Sequence, residues 1–128
     1  MLSFWVVFDF KCDFGECIIS TDEARLRQVL VNLFTNSIKF SEQGAIVLSI
    51  SRKADEGILY FSVTDNGCGI PEKDAERVFE RFVKLDQFKQ GTGIGLQLCQ
   101  QFITRLGGKI WVDTTYKDGA RFIFTHPL

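Results

Sequence analysis

Several things that would assign this chain to a familiar class are missing from it. No apolar run approaches the roughly 18 residues needed to cross a bilayer. The apolar opening, residues 1–10, carries no basic leader and no cleavage site, so a first strand is expected there rather than a signal peptide. A basic excess is missing too: Lys+Arg total 15 against Asp+Glu 16, a net charge of -1, which argues against a nucleic-acid module. There is one histidine, His126, and Cys12, Cys17, Cys68 and Cys99 form no CxxC pair. A zinc site is therefore not expected, and reduced thiols in a cytosolic chain are. No Pro/Gly/Ser-rich linker, repeat or low-complexity block divides the 128 residues, so they are expected to form one domain. What is present is ordinary for a globular fold: 45% hydrophobic and 24% charged residues, with 13 Phe to fill the core.

Patterning predicts short strands over 3–10 and 15–20. Ser20-Thr-Asp-Glu23 reads as a capping box that opens a helix running to about Phe40. Leu26, Val29, Leu30, Leu33 and Phe40 share one arc of that helix. Alternation predicts strands over 45–52 and 58–65, with a short helix over 74–79 and a loop over 81–92. A second amphipathic helix is expected over 94–106, buried through Leu98, Cys99, Phe102, Ile103 and Leu106, and stopped by Gly107-Gly108. Residues 109–114 and 120–125 form a closing hairpin. The expected class is α+β: a two-layer α/β sandwich, with helices on one face of a mixed, mostly antiparallel sheet.

Three segments carry chemistry. Asn32, Asn36 and Lys39, at i, i+4 and i+7, share a helix face beside the apolar arc. Two Asn inside a helix are costly by propensity, but an amide oxygen suits Mg²⁺ and a lysine suits phosphate. A solvated helix flank explains the same stripe. Asp65-Asn-Gly-Cys-Gly-Ile70 follows a strand directly. Its Asn-Gly fits a type I′ turn, while its glycines would let backbone approach a flat ligand and Asp65 would accept from an exocyclic amine. Gly91-Thr-Gly-Ile-Gly95-Leu96 opens the second helix, where free N–H groups favour phosphate. Its spacing is neither GxGxxG nor a P-loop, and a Gly-rich helix start needs no ligand.

Taken in order, these segments resemble the catalytic and ATP-binding domain of sensor histidine kinases, in the GHKL ATPase superfamily. The N box is Arg25-Leu-Arg-Gln-Val-Leu-Val-Asn-Leu-Phe-Thr-Asn-Ser-Ile-Lys-Phe40. The first glycine box is Asp65-Asn-Gly-Cys-Gly69, the F box is Phe79-Glu-Arg-Phe82, and the second glycine box is Gly91-Thr-Gly-Ile-Gly95. The resemblance covers nearly the whole chain and is least distinctive over residues 1–20.

The resemblance implies the Bergerat ATP-binding fold and a role for each residue. Asn36 would ligate the Mg²⁺ that bridges to the triphosphate. Asn32 and Lys39 would be the catalytic, phosphate-side contacts. Asp65 would bond the adenine amino group, Gly67 and Gly69 would shape the base pocket, and Ile70 and Phe40 would wall it. Phe79 and Phe82 would anchor a mobile lid over 81–92. Gly91, Thr92, Gly93, Gly95 and Leu96 would surround phosphate, with Arg81 and Lys84 as weaker phosphate candidates. In hydrolytic relatives such as gyrase B and MutL, a Glu one turn before the metal Asn activates water. Here that position is Asn32, a poor base, which favours transfer to a protein over hydrolysis.

The implied partners are a dimerisation domain bearing the phosphoacceptor histidine, expected to be absent from this chain, and a downstream response regulator. Nucleic acid and membrane insertion are not implied. The implied location is cytoplasmic, with a parent protein anchored in the inner membrane as one option. An anti-sigma-type serine kinase, or a degenerate nucleotide-binding interaction module, fits the same boxes.

Overall fold

The computed structural model describes residues 5–40, 43–80 and 94–128, with backbone alone at 5–8, 39, 40, 43 and 94. Its main elements are β1 (Trp5–Cys12), α1 (Glu23–Phe40), β2 (Gln43–Lys53), β3 (Ile58–Asp65), α2 (Ile94–Arg105), β4 (Ile110–Val112) and β5 (Arg121–Pro127). Between β3 and α2 the chain makes two 3₁₀ turns, Glu72–Asp74 and Arg77–Phe79, where a short helix is expected from sequence.

The five strands lie in the order β1-β2-β3-β5-β4. Each connection accounts for its pairing. The crossover through α1 brings β2 back parallel to β1, with Trp5 opposite Gln43. A tight turn through Gly57, whose φ is +68°, sends β3 back antiparallel to β2. β5 then pairs antiparallel with both β3 and β4. The sheet is thus mixed and mostly antiparallel, and both helices pack on one face of it, as the pattern predicts.

Strand alternation selects that face. Leu59, Phe61, Val63 and Asp65 of β3 are buried, as are Phe122, Phe124 and His126 of β5. Phe61 and Phe124 stack with ring centroids 4.6 Å apart. Val29 and Leu33 from α1, and Leu96, Cys99, Phe102 and Ile103 from α2, close the core over them. Burial of such side chains stabilises by about 1.5–3 kcal/mol each. On the other face stand Ser49, Ser62, Thr64 and Arg121, polar and partly exposed.

Two local expectations are corrected. The strand expected over 15–20 does not form. Residues 13–22 run without regular structure from β1 to α1, although Cys17 and Ile19 pack on the core and Ile18 is 88% exposed. Alternation gives a segment two faces, but a strand also needs a partner edge. β2 is already flanked by β1 and β3, and Asp13 bonds back to β2 at Ser51 Oγ (2.8 Å) and Arg52 N (3.1 Å).

The helix cap is Asp22 rather than Ser20. Asp22 Oδ1 accepts from Arg25 N at 3.2 Å, and its carbonyl accepts from Leu26 N at 3.0 Å. Thr21, inside the expected capping box, faces the sheet instead: its Oγ1 lies 2.8 Å from His126 Nε2. His126 Nδ1 donates to the Pro127 carbonyl at 2.7 Å, and the residue is 2% exposed. The histidine therefore ends the phenylalanine row of β5 as a packed core residue.

Candidate functional site

Asp65 is the last residue of β3, and its alternation places it on the core face. A carboxylate there must be satisfied, since its residue is 4% exposed. Oδ1 accepts from Gly67 N at 2.9 Å, closing an Asx turn, and from Ala120 N at 3.1 Å across the sheet. The backbones pair as well: Asp65 N donates to the Ala120 carbonyl at 2.9 Å. Both side-chain bonds fall on Oδ1, which leaves Oδ2 for a ligand.

The chain around Asp65 has no room for side chains. At Gly69 φ is +76°, and a Cβ would lie 2.9 Å from the Gly119 carbonyl oxygen. At Gly119 φ is +153°, and a Cβ would lie 2.0 Å from the Asp65 carbonyl oxygen. These positions require glycine because two backbones approach each other directly. The result is a recess of about 300 Å³, counting the space at its open mouth. Asn36 and Ser37 of α1 line one side, Asp65, Ala120 and Phe122 the sheet side, and Cys68, Gly69 and Ile70 the remaining wall.

Beside the recess, α1 is joined to the start of α2. Asn32 Oδ1 accepts from Gln28 Nε2 at 2.8 Å, and its Nδ2 donates to the Gly95 carbonyl at 3.3 Å. Asn36 Nδ2 donates to the Asn32 carbonyl at 2.9 Å, so Oδ1 is the Asn36 atom left to ligate a cation. Gly95 and Leu96 stand in the first turn of α2, where N–H groups have no partner within the helix. Cys99, one turn on, is buried, and its Sγ lies 3.8 Å from the Val29 carbonyl. Burial pushes its thiol up to about 12, with a bond to Asn32 opposing the shift.

Of the residues expected at the site, the structure brings Asn36, Asp65, Gly69 and Ile70 into one recess and sets Asn32 against Gly95 beside it. Gly67 holds Asp65 through its N–H and does not line the recess. Leu96 buries its side chain in the core. Phe79 is buried and meets Phe122 edge to face at 6.1 Å. The side chains of Lys39 and Phe40 lie outside the described residues, as do Arg81, Phe82, Lys84, Gly91, Thr92, Gly93 and the lid expected over 81–92. Sequence reasoning gave no site role to Ser37, Cys68, Gly119, Ala120 and Phe122. Ser37 had a signal, a polar residue on the apolar arc one turn past Leu33. Phe122 reads from sequence only as a residue of the closing hairpin. Gly119 and Ala120 were recognised only as parts of a hairpin.

The family model described as histidine kinase-, DNA gyrase B- and HSP90-like ATPases matches residues 21–128. Sensor histidine kinase WalK of Bacillus subtilis (strain 168) is 38% identical over 114 residues, covering 85% of this chain and 19% of WalK. Adaptive-response sensory kinase SasA of Crocosphaera subtropica is 45% identical over 113 residues, covering 86% of this chain and 29% of SasA. The chain thus spans less than a third of the length of these relatives. Among solved structures, full-length ShkA in complex with AMPPNP superposes with a TM-score of 0.85 at 34% identity, over 95% of this chain and 25% of ShkA. The catalytic domain of histidine kinase ThkA gives 0.82 at 33%, over 95% of this chain and 80% of that one. ThkA in complex with the response regulator TrrA gives 0.79 at 31%, over 95% of this chain and 34% of that chain. With the recess between α1 and the β3–β5 seam, these likenesses identify the chain as a member of the histidine kinase-, DNA gyrase B- and HSP90-like ATPase family, built like the catalytic domain of a sensor histidine kinase.

Proposed function

We propose that this chain is the ATP-binding catalytic half of a sensor histidine kinase. It holds Mg-ATP for in-line transfer of the γ-phosphoryl group to a histidine on a dimerisation domain. The observation that carries the reading is the pairing of Asp65 and Asn36 in one recess, beside the start of α2. Asp65 is an acceptor suited to an exocyclic amine, held by two backbone amides. Asn36 keeps its amide oxygen for a hard cation. Residues present therefore fit Mg²⁺, with Asn36 as the protein ligand and phosphate oxygens and water completing the shell. Bound there, the ion would neutralise phosphate charge.

Phosphoryl transfer depends mostly on positioning and charge. In this reading Asp65 fixes the base and Asn32 ties α1 to α2. The first-turn N–H groups of α2 hold phosphate, joined by Lys39. Asn32 is no general base, so hydrolysis is slow, below about one turnover per second. The acceptor histidine comes from a dimerisation domain, and the phosphoryl group passes on to a response regulator, as the ThkA complex with TrrA suggests by analogy. Consumption of ATP puts this portion in the cytoplasm. Among the described residues, no helix is long and apolar enough to cross a membrane.

Calorimetric titration tests the site. Asp65→Ala is expected to weaken ATP and ADP alike, with or without Mg²⁺, by roughly 10- to 100-fold, the worth of a charged hydrogen bond. Asn36→Ala is expected to weaken mainly the metal-bound nucleotide. An Asp65→Ala variant that binds ATP like the parent would remove the base assignment. With radiolabelled ATP, the chain should label a supplied cognate dimerisation domain and not itself. Acid-labile label on the isolated chain that vanishes in His126→Ala would contradict the proposal.

A further inference from the structure

Ser37 lines the recess and has nothing to bond to. It is 2% exposed, and its Oγ is the one buried side-chain nitrogen or oxygen without a partner among the described residues. A serine inside a helix ordinarily returns its hydroxyl to the carbonyl four residues back. Thr35, on the exposed side of the same helix, does so, with Oγ1 donating to the Val31 carbonyl at 2.7 Å. Ser37 does not. A buried, unpaired hydroxyl destabilises the empty protein, and alanine would avoid that cost while favouring the helix. The missing partner is therefore expected to come from outside the chain, from whatever occupies the recess Ser37 shares with Asp65.

We infer that Ser37 is a second base-reading residue, whose hydroxyl donates to the ring nitrogen N1 of adenine, directly or through one water. The inference rests on the ATP-binding reading above. A carboxylate only accepts, so Asp65 suits the exocyclic amine. On that edge of adenine the neighbouring atom is N1, a bare lone pair that needs a donor. Among the side chains lining the recess with Asp65, only Asn36, Ser37 and Cys68 carry a polar atom. Asn36 Nδ2 is turned back to its own helix, with one of its two N–H groups donating to the Asn32 carbonyl, and a thiol is a weak donor. The Ser37 hydroxyl is the strong donor there that has no partner at all. Guanine presents the opposite pattern, a carbonyl and an N–H, and its carbonyl would face the Asp65 carboxylate. Asp65 and Ser37 together thus match adenine at two adjacent atoms, and an analogue lacking either atom leaves a buried group unpaired.

Titrating the parent and Ser37→Ala with three nucleotides tests this. They are ATP, 1-deaza-ATP (a C–H replaces N1) and purine riboside triphosphate, which lacks the amine. The parent should bind 1-deaza-ATP roughly three- to tenfold more weakly than ATP. Ser37→Ala should bind those two equally, yet still prefer ATP to purine riboside triphosphate through Asp65. Its melting temperature without nucleotide should be no lower than the parent's. A merely structural Ser37 would weaken all three nucleotides together. A Ser37→Ala variant that keeps the parent's preference for ATP over 1-deaza-ATP overturns the role of Ser37 and leaves the ATP reading intact. A parent that binds none of the three overturns the ATP reading, and this inference with it.

Discussion

The two sides of the site are built from different materials. On the side proposed to hold the base, backbone holds the key group: two amides on Asp65 Oδ1, and glycines where main chains nearly touch. On the side proposed to hold phosphate, side-chain amides do the holding, through Gln28, Asn32 and Asn36 on one helix and the Gly95 carbonyl on the next. Backbone contacts keep their geometry only if the strands stay paired, and they tolerate no added atom. Side-chain amides can be removed one at a time. The base side should therefore fail with the fold, and the phosphate side should weaken by degrees.

The largest effect is expected at Gly119. Gly119→Ala puts a methyl 2.0 Å from the Asp65 carbonyl oxygen at a φ of +153°. Overpacking and backbone strain together should cost about 3 kcal/mol or more, seen as a lower urea midpoint and as lost nucleotide binding. Parent-like stability would break the contrast, since the base side would then yield like the other.

A smaller effect is expected at Asn32. Asn32→Ala removes the bonds to Gln28 and Gly95, at a cost of about 1–2 kcal/mol. The variant should fold, bind adenosine almost as the parent does, and bind ATP more weakly. An equal loss for both ligands would mean that Asn32 acts through the fold alone.

The smallest concerns Cys99, behind the phosphate side. Its thiol is pushed up to about 12 from 9.0, mainly by burial. The raised value means that burial of the neutral thiol contributes fully below pH 9 and is progressively lost as pH climbs toward 12. Cys12 and Cys68 are exposed, so a maleimide at pH 7 should label them while Cys99 reacts only on unfolding. ATP should slow labelling of Cys68, which lines the recess, and leave Cys12 unchanged.

These expectations also separate what was legible in the sequence from what was not. β3, α2 and the buried arc of α1 follow from periodicity, because each faces the core along one continuous stripe. Asn36 and Asp65 were legible because both stand in compact local motifs. Ala120 was not: its link to Asp65 spans 55 positions and exists only because β5 pairs with β3, with β4 on its far side. The cap was misplaced by two residues because Ser20 and Asp22 both suit the position, and only the fold shows Thr21 turned toward His126. The strand expected over 15–20 is absent for a similar non-local reason: Asp13 ties the start of the segment to β2, which β1 and β3 already flank.

The contact between Gly69 and Gly119 has a mechanical meaning. With each Cα pressed against the other segment's main chain, the loop after β3 and the turn before β5 cannot slide past one another. Together with the Asp65–Ala120 backbone bond, this makes them one wall of the recess with the sheet. A change in the width of the recess must then come from the opposite wall, α1, which carries Asn36 and Ser37 and is coupled to the first turn of α2 through Asn32. A tilt of that helix would move the proposed base contact, Ser37, and the proposed cation ligand, Asn36, together, so on that reading the two ends of a bound nucleotide would be gripped or released in one stroke.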